Sequence, residues 1–122
     1  MKPRVLVVDD SALSRRTLRQ ILEPAGYEVA EAADGLSALE RYFLEKPDVV
    51  LLDLVMTGMY GLEVLIKLRE LDGDAKVVIV SADIQTSSHE LVEEAGAKGF
   101  VTKPFDKAEI LGALSSVLAG AL

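Results

Sequence analysis

The 122-residue chain contains no cysteine, which excludes disulfides, thiolate metal sites and a cysteine nucleophile. Packing alone must hold the fold together. Positive charge is also scarce: 13 Lys and Arg stand against 20 Asp and Glu, a formal net charge of −7. That balance argues against nonspecific binding to nucleic acid or to an anionic membrane surface. Long apolar runs are missing too. Lys2 and Arg4 precede Val5 to Val8, but the run stops at Asp9, short of a signal-peptide core, and no segment approaches membrane-spanning length. A soluble cytoplasmic protein is expected. There is no low-complexity tract, no linker, and no glycine before Gly26.

Half of the residues are apolar, enough for one continuous core, so a single domain over residues 1–122 is expected. Short apolar runs alternate with longer amphipathic stretches, as βαβ units require. Strands are predicted at Arg4–Val8, Tyr27–Glu31, Asp48–Leu52, Lys76–Val80 and Lys98–Thr102. Within the first, third and fourth, Val5–Val8, Val49–Leu52 and Val77–Val80 are apolar throughout, which places these strands in the middle of a parallel sheet covered on both faces. Helical spacing groups Leu18, Ile21 and Leu22; Leu36, Leu39 and Phe43; Leu62, Leu65 and Ile66; Leu91, Val92 and Ala95; and Ile110 with Leu111, Leu114, Val117 and Leu118. Asp34, Ser87 or Ser88, and Asp106 suit helix starts, Gly96 suits a left-handed helix end, and Pro24 and Pro47 mark helix exits. The predicted fold is α/β, a (βα)5 doubly wound five-stranded parallel sheet.

Asp9-Asp10, Asp53, Ser81 and Lys103 then fall at the carboxyl ends of four different strands. Open parallel sheets bind ligands along that edge. Taken singly, each has an ordinary explanation: acidic pairs and serines are frequent turn or cap residues, and a lone lysine before proline is usually solvated. Together they are far more specific. Three carboxylates beside a low-dielectric core repel one another unless a cation sits among them. An all-oxygen set with room for water and phosphate oxygens suits Mg²⁺ better than Zn²⁺ or a caged Ca²⁺. Lys103 adds a mobile positive charge and Ser81 a hydroxyl donor.

These segments resemble the receiver domains of bacterial two-component response regulators, particularly the single-domain chemotaxis and sporulation types, whose fold is flavodoxin-like. The resemblance runs the length of the chain and is carried by Val5-Leu6-Val7-Val8-Asp9-Asp10-Ser11, Val49-Val50-Leu51-Leu52-Asp53-Leu54, Val78-Ile79-Val80-Ser81-Ala82 and Phe100-Val101-Thr102-Lys103-Pro104-Phe105. It implies that Asp53 accepts a phosphoryl group from a histidine kinase, a histidine phosphotransfer protein or a small donor such as acetyl phosphate. It also implies Mg²⁺ bound by Asp10, Asp53 and the main-chain carbonyl of Val55, with Asp9 acting through water. Lys103 and the metal would stabilise the transferring group. Ser81 would bond a phosphoryl oxygen and Phe100 would move inward, changing the face of helix 4, strand 5 and helix 5 that downstream proteins read. Such a chain is a phosphoacceptor signalling protein promoting its own phosphotransfer and dephosphorylation, rather than an enzyme. Phe100 has a plainer reading as a core aromatic.

The departures from the family pattern lie after Asp53. Thr57 stands where proline is common and Tyr60 where aspartate is common, leaving the loop freer. Val55 and Asp83 occupy the positions that in the family tune access of the hydrolytic water; an apolar Val55 cannot orient it, so slower self-dephosphorylation than in the fast chemotaxis members is expected. A nucleotide- or flavin-binding domain would need a glycine-rich loop after the first strand. An aspartate-nucleophile phosphatase would need an acid at Val55. A phosphorylation-independent scaffold would have lost part of the acidic pair, acceptor or lysine. With Met1 leading and no output segment following the last helix, a stand-alone regulator or a fragment of a longer one is expected.

Overall fold

The computed structural model describes residues 2–56, 60–82 and 86–120, with 86–88 described by backbone alone. Strands and helices alternate as β1 (Arg4–Val8), α1 (Ala12–Leu22), β2 (Glu28–Ala32), α2 (Gly35–Glu45), β3 (Val49–Leu52), α3 (Gly61–Leu71), β4 (Val77–Ser81), α4 (Thr86–Glu94), β5 (Gly99–Thr102) and α5 (Lys107–Ala119). All pairings are parallel and the strand order is β2-β1-β3-β4-β5. This is the expected doubly wound sheet, and the three most apolar strands do occupy its centre.

Strand alternation divides the core into two layers. Leu6, Val8, Val50, Leu52, Val77 and Ile79 face α2, α3 and α4. Val5, Val7, Val49, Leu51, Val78 and Val80 face α1 and α5, where they meet Leu18, Leu22, Ile110 and Leu114. Each fully buried side chain of this kind contributes about 1.5–3 kcal/mol.

Boundaries differ from expectation where local hydrogen bonds decide them. β2 begins at Glu28 rather than Tyr27 because the Tyr27 N–H still bonds the Leu22 carbonyl at 3.1 Å, closing α1 through Gly26 at φ 96°. Ser81 is the last residue of β4, paired with Thr102, and not a residue beyond the strand. Asp34 and Asp106 cap α2 and α5 as expected, Asp106 in a capping box with Glu109. Gly96 has φ 101°. Ser87 and Ser88 lie inside α4, not ahead of it, since that helix starts at Thr86.

Three helix faces are corrected. In α2 the inward residues are Gly35, Ala38 and Tyr42, whereas Leu36 and Phe43 are 72% and 50% exposed. Small residues let α2 approach the sheet closely, and Tyr42 turns its hydroxyl outward to donate to Asp72 at 2.7 Å. In α4, Val92 is buried but Leu91 is half exposed. Ile66 of α3 also faces outward, its place inside taken by Val64 and Leu68.

Candidate functional site

Parallel strands ending together bring Asp9, Asp53, Ser81 and Lys103 to one edge. Asp9 follows β1 and is almost fully buried. Its N–H donates to the Ala32 carbonyl at 3.1 Å, and its Oδ1 accepts the Ser11 N–H at 2.9 Å. Ser11 in turn caps α1 through the Ser14 amide. Asp9 therefore does make the turn that its residue type suggests, but with one carboxylate oxygen only.

Asp53 follows β3, is 7% exposed, and is hung from β1 by a 3.0 Å bond from its N–H to the Val8 carbonyl. Its Oδ1 accepts the Val55 N–H at 3.0 Å. The second oxygens of both acids meet the same cation: Lys103 Nζ lies 2.8 Å from Asp9 Oδ2 and 2.9 Å from Asp53 Oδ2. Ser14 Oγ is a more distant neighbour of that amine, at 3.4 Å. Lys103 is brought in from β5 by its own N–H, which donates to the Ser81 carbonyl at 2.9 Å, and the Lys103-Pro104 peptide is cis. Burial pulls the ammonium's proton affinity down, but the bonds to Asp9 and Asp53 and their charges outweigh it, so its pKa stands above the ordinary lysine value.

Ser81 is fully buried at the end of β4. Phe100, on β5, is half-buried against the α2–α4 side of the core, its ring tilted over His89 of α4 with centroids 4.6 Å apart. Asp10 is exposed, as is Val55, at 58%. Thr57 and Asp83 lie outside the described residues.

The structure thus unites Asp9, Asp53 and Lys103 directly, with Ser81 beside them. Among the described residues no three His, Asp or Glu side chains converge into a ready-made cation cage. The donor chemistry nonetheless fits a hard divalent cation: the site offers carboxylate and carbonyl oxygens, with no thiolate or imidazole among them. The mutual repulsion of Asp9 and Asp53 is met here by the lysine ammonium itself.

Two residues of this region escape sequence reasoning. Gly61 opens α3 directly under the Asp53 turn, its N–H bonding the Leu54 carbonyl at 2.8 Å, and a Cβ there would strike the main chain of Asp53 and Leu54. A glycine at a helix start, where a side-chain cap is commoner, is the only signal available. Arg15 donates to the Asp9 carbonyl at 2.7 Å. A contact to main chain leaves no partner residue type to search for.

In sequence and fold the chain is similar to known proteins. The family model described as the response regulator receiver domain matches residues 5–115. The chemotaxis protein CheY of Thermotoga maritima is 41% identical over 118 residues, 96% of this chain and 98% of that protein. The sporulation initiation phosphotransferase F of Bacillus subtilis is 36% identical over 118 residues, 97% and 95% of the two chains. A solved CheX–CheY–BeF3–Mg²⁺ complex from Borrelia burgdorferi contains a chain 35% identical to this one, with a TM-score of 0.91 over 94% of this chain and 88% of that one.

Proposed function

This chain belongs to the response regulator receiver domain family of two-component phosphorelays, and from that premise we propose that Asp53 is its phosphoacceptor. The observation that carries the assignment is the Lys103 ammonium bonded at once to buried Asp9 and Asp53. A carboxylate held by one amide on Oδ1 and one ammonium on Oδ2 is preorganised for in-line attack, the positioning that phosphoryl transfer mostly demands.

An oxygen of Asp53 forms the new O–P bond as the donor's N–P or O–P bond breaks, giving an acyl phosphate. The donor is the phosphohistidine of a histidine kinase or phosphotransfer protein, or a small molecule such as acetyl phosphate. Lys103, already within reach, turns its donors to the transferred oxygens, and the Ser81 hydroxyl donates to another. Asp9, Asp10, Asp53 and the Val55 carbonyl would hold Mg²⁺, which supplies positive charge opposite the transferring group.

The same proposal extends to output. The Ser81 bond biases a two-state element in which Phe100 moves inward, altering the α4-β5-α5 face read by a downstream protein. No described helix is long and apolar enough to cross a membrane; with a net charge of −7, the proposed setting is the cytoplasm and the proposed mode of action is contact with proteins rather than nucleic acid. The unit is a single receiver domain over residues 1–122, and it promotes its own phosphorylation and loss of phosphate rather than turning over a substrate. Exposed, apolar Val55 offers no polar side-chain group to orient water, which supports slower self-dephosphorylation than in the fast chemotaxis members of the family.

Incubation with acetyl phosphate or phosphoramidate and Mg²⁺, followed by intact mass, tests the assignment. Wild type should gain one labile phosphoryl group and Asp53→Asn none. A chain acting only as a phosphorylation-independent scaffold would gain none in either form.

A further inference from the structure

One buried-side cation beside the acidic pair takes no part in the chemistry above. Arg15 lies on α1 with its side chain 18% exposed, and its guanidinium spans two acceptors. Nη1 donates to the Asp9 carbonyl at 2.7 Å, and Nε to Glu31 Oε1 at 3.0 Å. Glu31 is fixed in turn from its other oxygen by Arg19 Nε at 2.8 Å, a bond that holds the Arg19 guanidinium's pKa above its ordinary value. The carbonyl that Arg15 holds belongs to the peptide joining Asp9 to Asp10. The other polar group of the Asp9 backbone, its N–H, is held by Ala32, the residue after Glu31. The end of β2 therefore fixes Asp9 twice, once directly and once through Arg15.

We propose that Arg15 is a positioning residue for the cation site, aimed by Glu31. The plane of the Asp9-Asp10 peptide sets the directions in which the two carboxylates leave the chain. Holding its carbonyl from Nη1 of a planar guanidinium whose Nε is pinned to Glu31 prepares that plane before any cation arrives. This inference rests on the reading of Asp9 and Asp10 as cation ligands, and it names what orients them. Simple electrostatics predicts the opposite sign, since a positive charge near a cation site should weaken binding; pairing with Glu31 offsets that charge and leaves orientation as the dominant effect. Partners behind metal ligands commonly change affinity by about 10–100-fold.

The test is Mg²⁺ titration of the full chain, followed by backbone NMR, for wild type, Arg15→Lys, Arg15→Ala and Glu31→Gln. Arg15→Lys keeps the charge and loses the planar guanidinium, so it should weaken Mg²⁺ binding about tenfold. Arg15→Ala should weaken it at least as much, and Glu31→Gln by a smaller factor in the same direction. Without Mg²⁺, the carbonyl ¹³C resonance of Asp9 should move in both Arg15 variants. Phosphorylation by acetyl phosphate should recover toward the wild-type rate at saturating Mg²⁺. Unchanged Mg²⁺ affinity in Arg15→Lys and Glu31→Gln, whether or not melting temperature falls, would overturn the proposal and leave a strut between α1 and β2. Tighter binding by Arg15→Ala would overturn it in favour of simple charge. A wild-type chain that takes up no Mg²⁺ would instead remove the cation reading beneath it, and the proposal with it.

Discussion

At the carboxyl ends of β1 and β3, Asp9 and Asp53 are each held by a main-chain amide, a shared ammonium and a backbone bond to a neighbouring strand. Along the same edge at β4 and β5 the construction changes. Phe100 is only half-buried and leans on His89, and α4 reaches the core through Val92 as the one fully buried side chain among those described. α5, by contrast, buries Ile110, Leu114 and Val117. The difference fits the roles proposed for the two halves. Transfer chemistry needs groups already in place, so that no reorganisation is required at reaction. A switch needs two arrangements of similar free energy, and lightly anchored elements supply them.

The largest effect should come from the fixed half. Lys103→Ala leaves two buried carboxylates facing each other, so the Mg²⁺-free protein should lose about 3 kcal/mol in urea unfolding. Its phosphorylation by acetyl phosphate should slow about 10²-fold. A stability loss as small as an exposed ion pair's would show that this half is not held by the ammonium.

Gly61→Ala should rank next, at about 2 kcal/mol by thermal unfolding, because the added methyl meets the backbone of Asp53 and Leu54. It should slow phosphorylation as well by displacing the turn that carries Asp53. A neutral result would mean that the turn yields easily and the half is less rigid than its bonds suggest.

The pH dependence sharpens the same point. Lys103 is raised above its ordinary value of 10.5, so its stabilising contribution is complete below that value and is lost as pH rises through the higher folded value. The stability gap between wild type and Lys103→Ala should therefore stay constant from neutral pH to about 10 and narrow above it. Urea unfolding at a series of pH values reads this directly. A gap that narrows already near neutrality would place the proton elsewhere.

The smallest effect belongs to the half proposed to move. His89→Ala should change stability by under about 1 kcal/mol and the phosphorylation rate by less than about twofold. It should nevertheless shift the Phe100 ring resonances in the NMR spectrum of the unphosphorylated protein. A loss as large as that of Lys103→Ala would erase the contrast between the two halves.

Much of this was readable in advance, and the misses have physical causes. The runs Val5-Leu6-Val7-Val8, Val49-Val50-Leu51-Leu52 and Val77-Val78-Ile79-Val80 announce central strands because only a sheet covered on both faces tolerates uninterrupted apolar residues. Their shared direction then assembles Asp9, Asp53 and Ser81 without further information. Helix phase was harder to read. Hydropathy ranks Leu36 and Phe43 above Gly35 and Ala38, yet close approach of α2 to the sheet selects the small residues and leaves the large ones outside. The counter-charge was legible in kind, since Lys103 offers a mobile positive charge able to pair with a carboxylate, but not in place. Carboxylate crowding calls for a cation, but that Lys103 would supply it from 50 residues beyond Asp53 depends on tertiary placement. Arg15, one of several arginines on α1, looks like part of a solvated face until its contact with the Asp9 carbonyl is seen.

The most direct measurement is borohydride reduction of the chain after acetyl phosphate and Mg²⁺ treatment, followed by peptide mass mapping. An acyl phosphate is reduced to an alcohol, so the account predicts homoserine at position 53 and at no other aspartate. Homoserine at position 9 or 10 with position 53 intact, or no reduced residue in a protein that has gained phosphate, would contradict it.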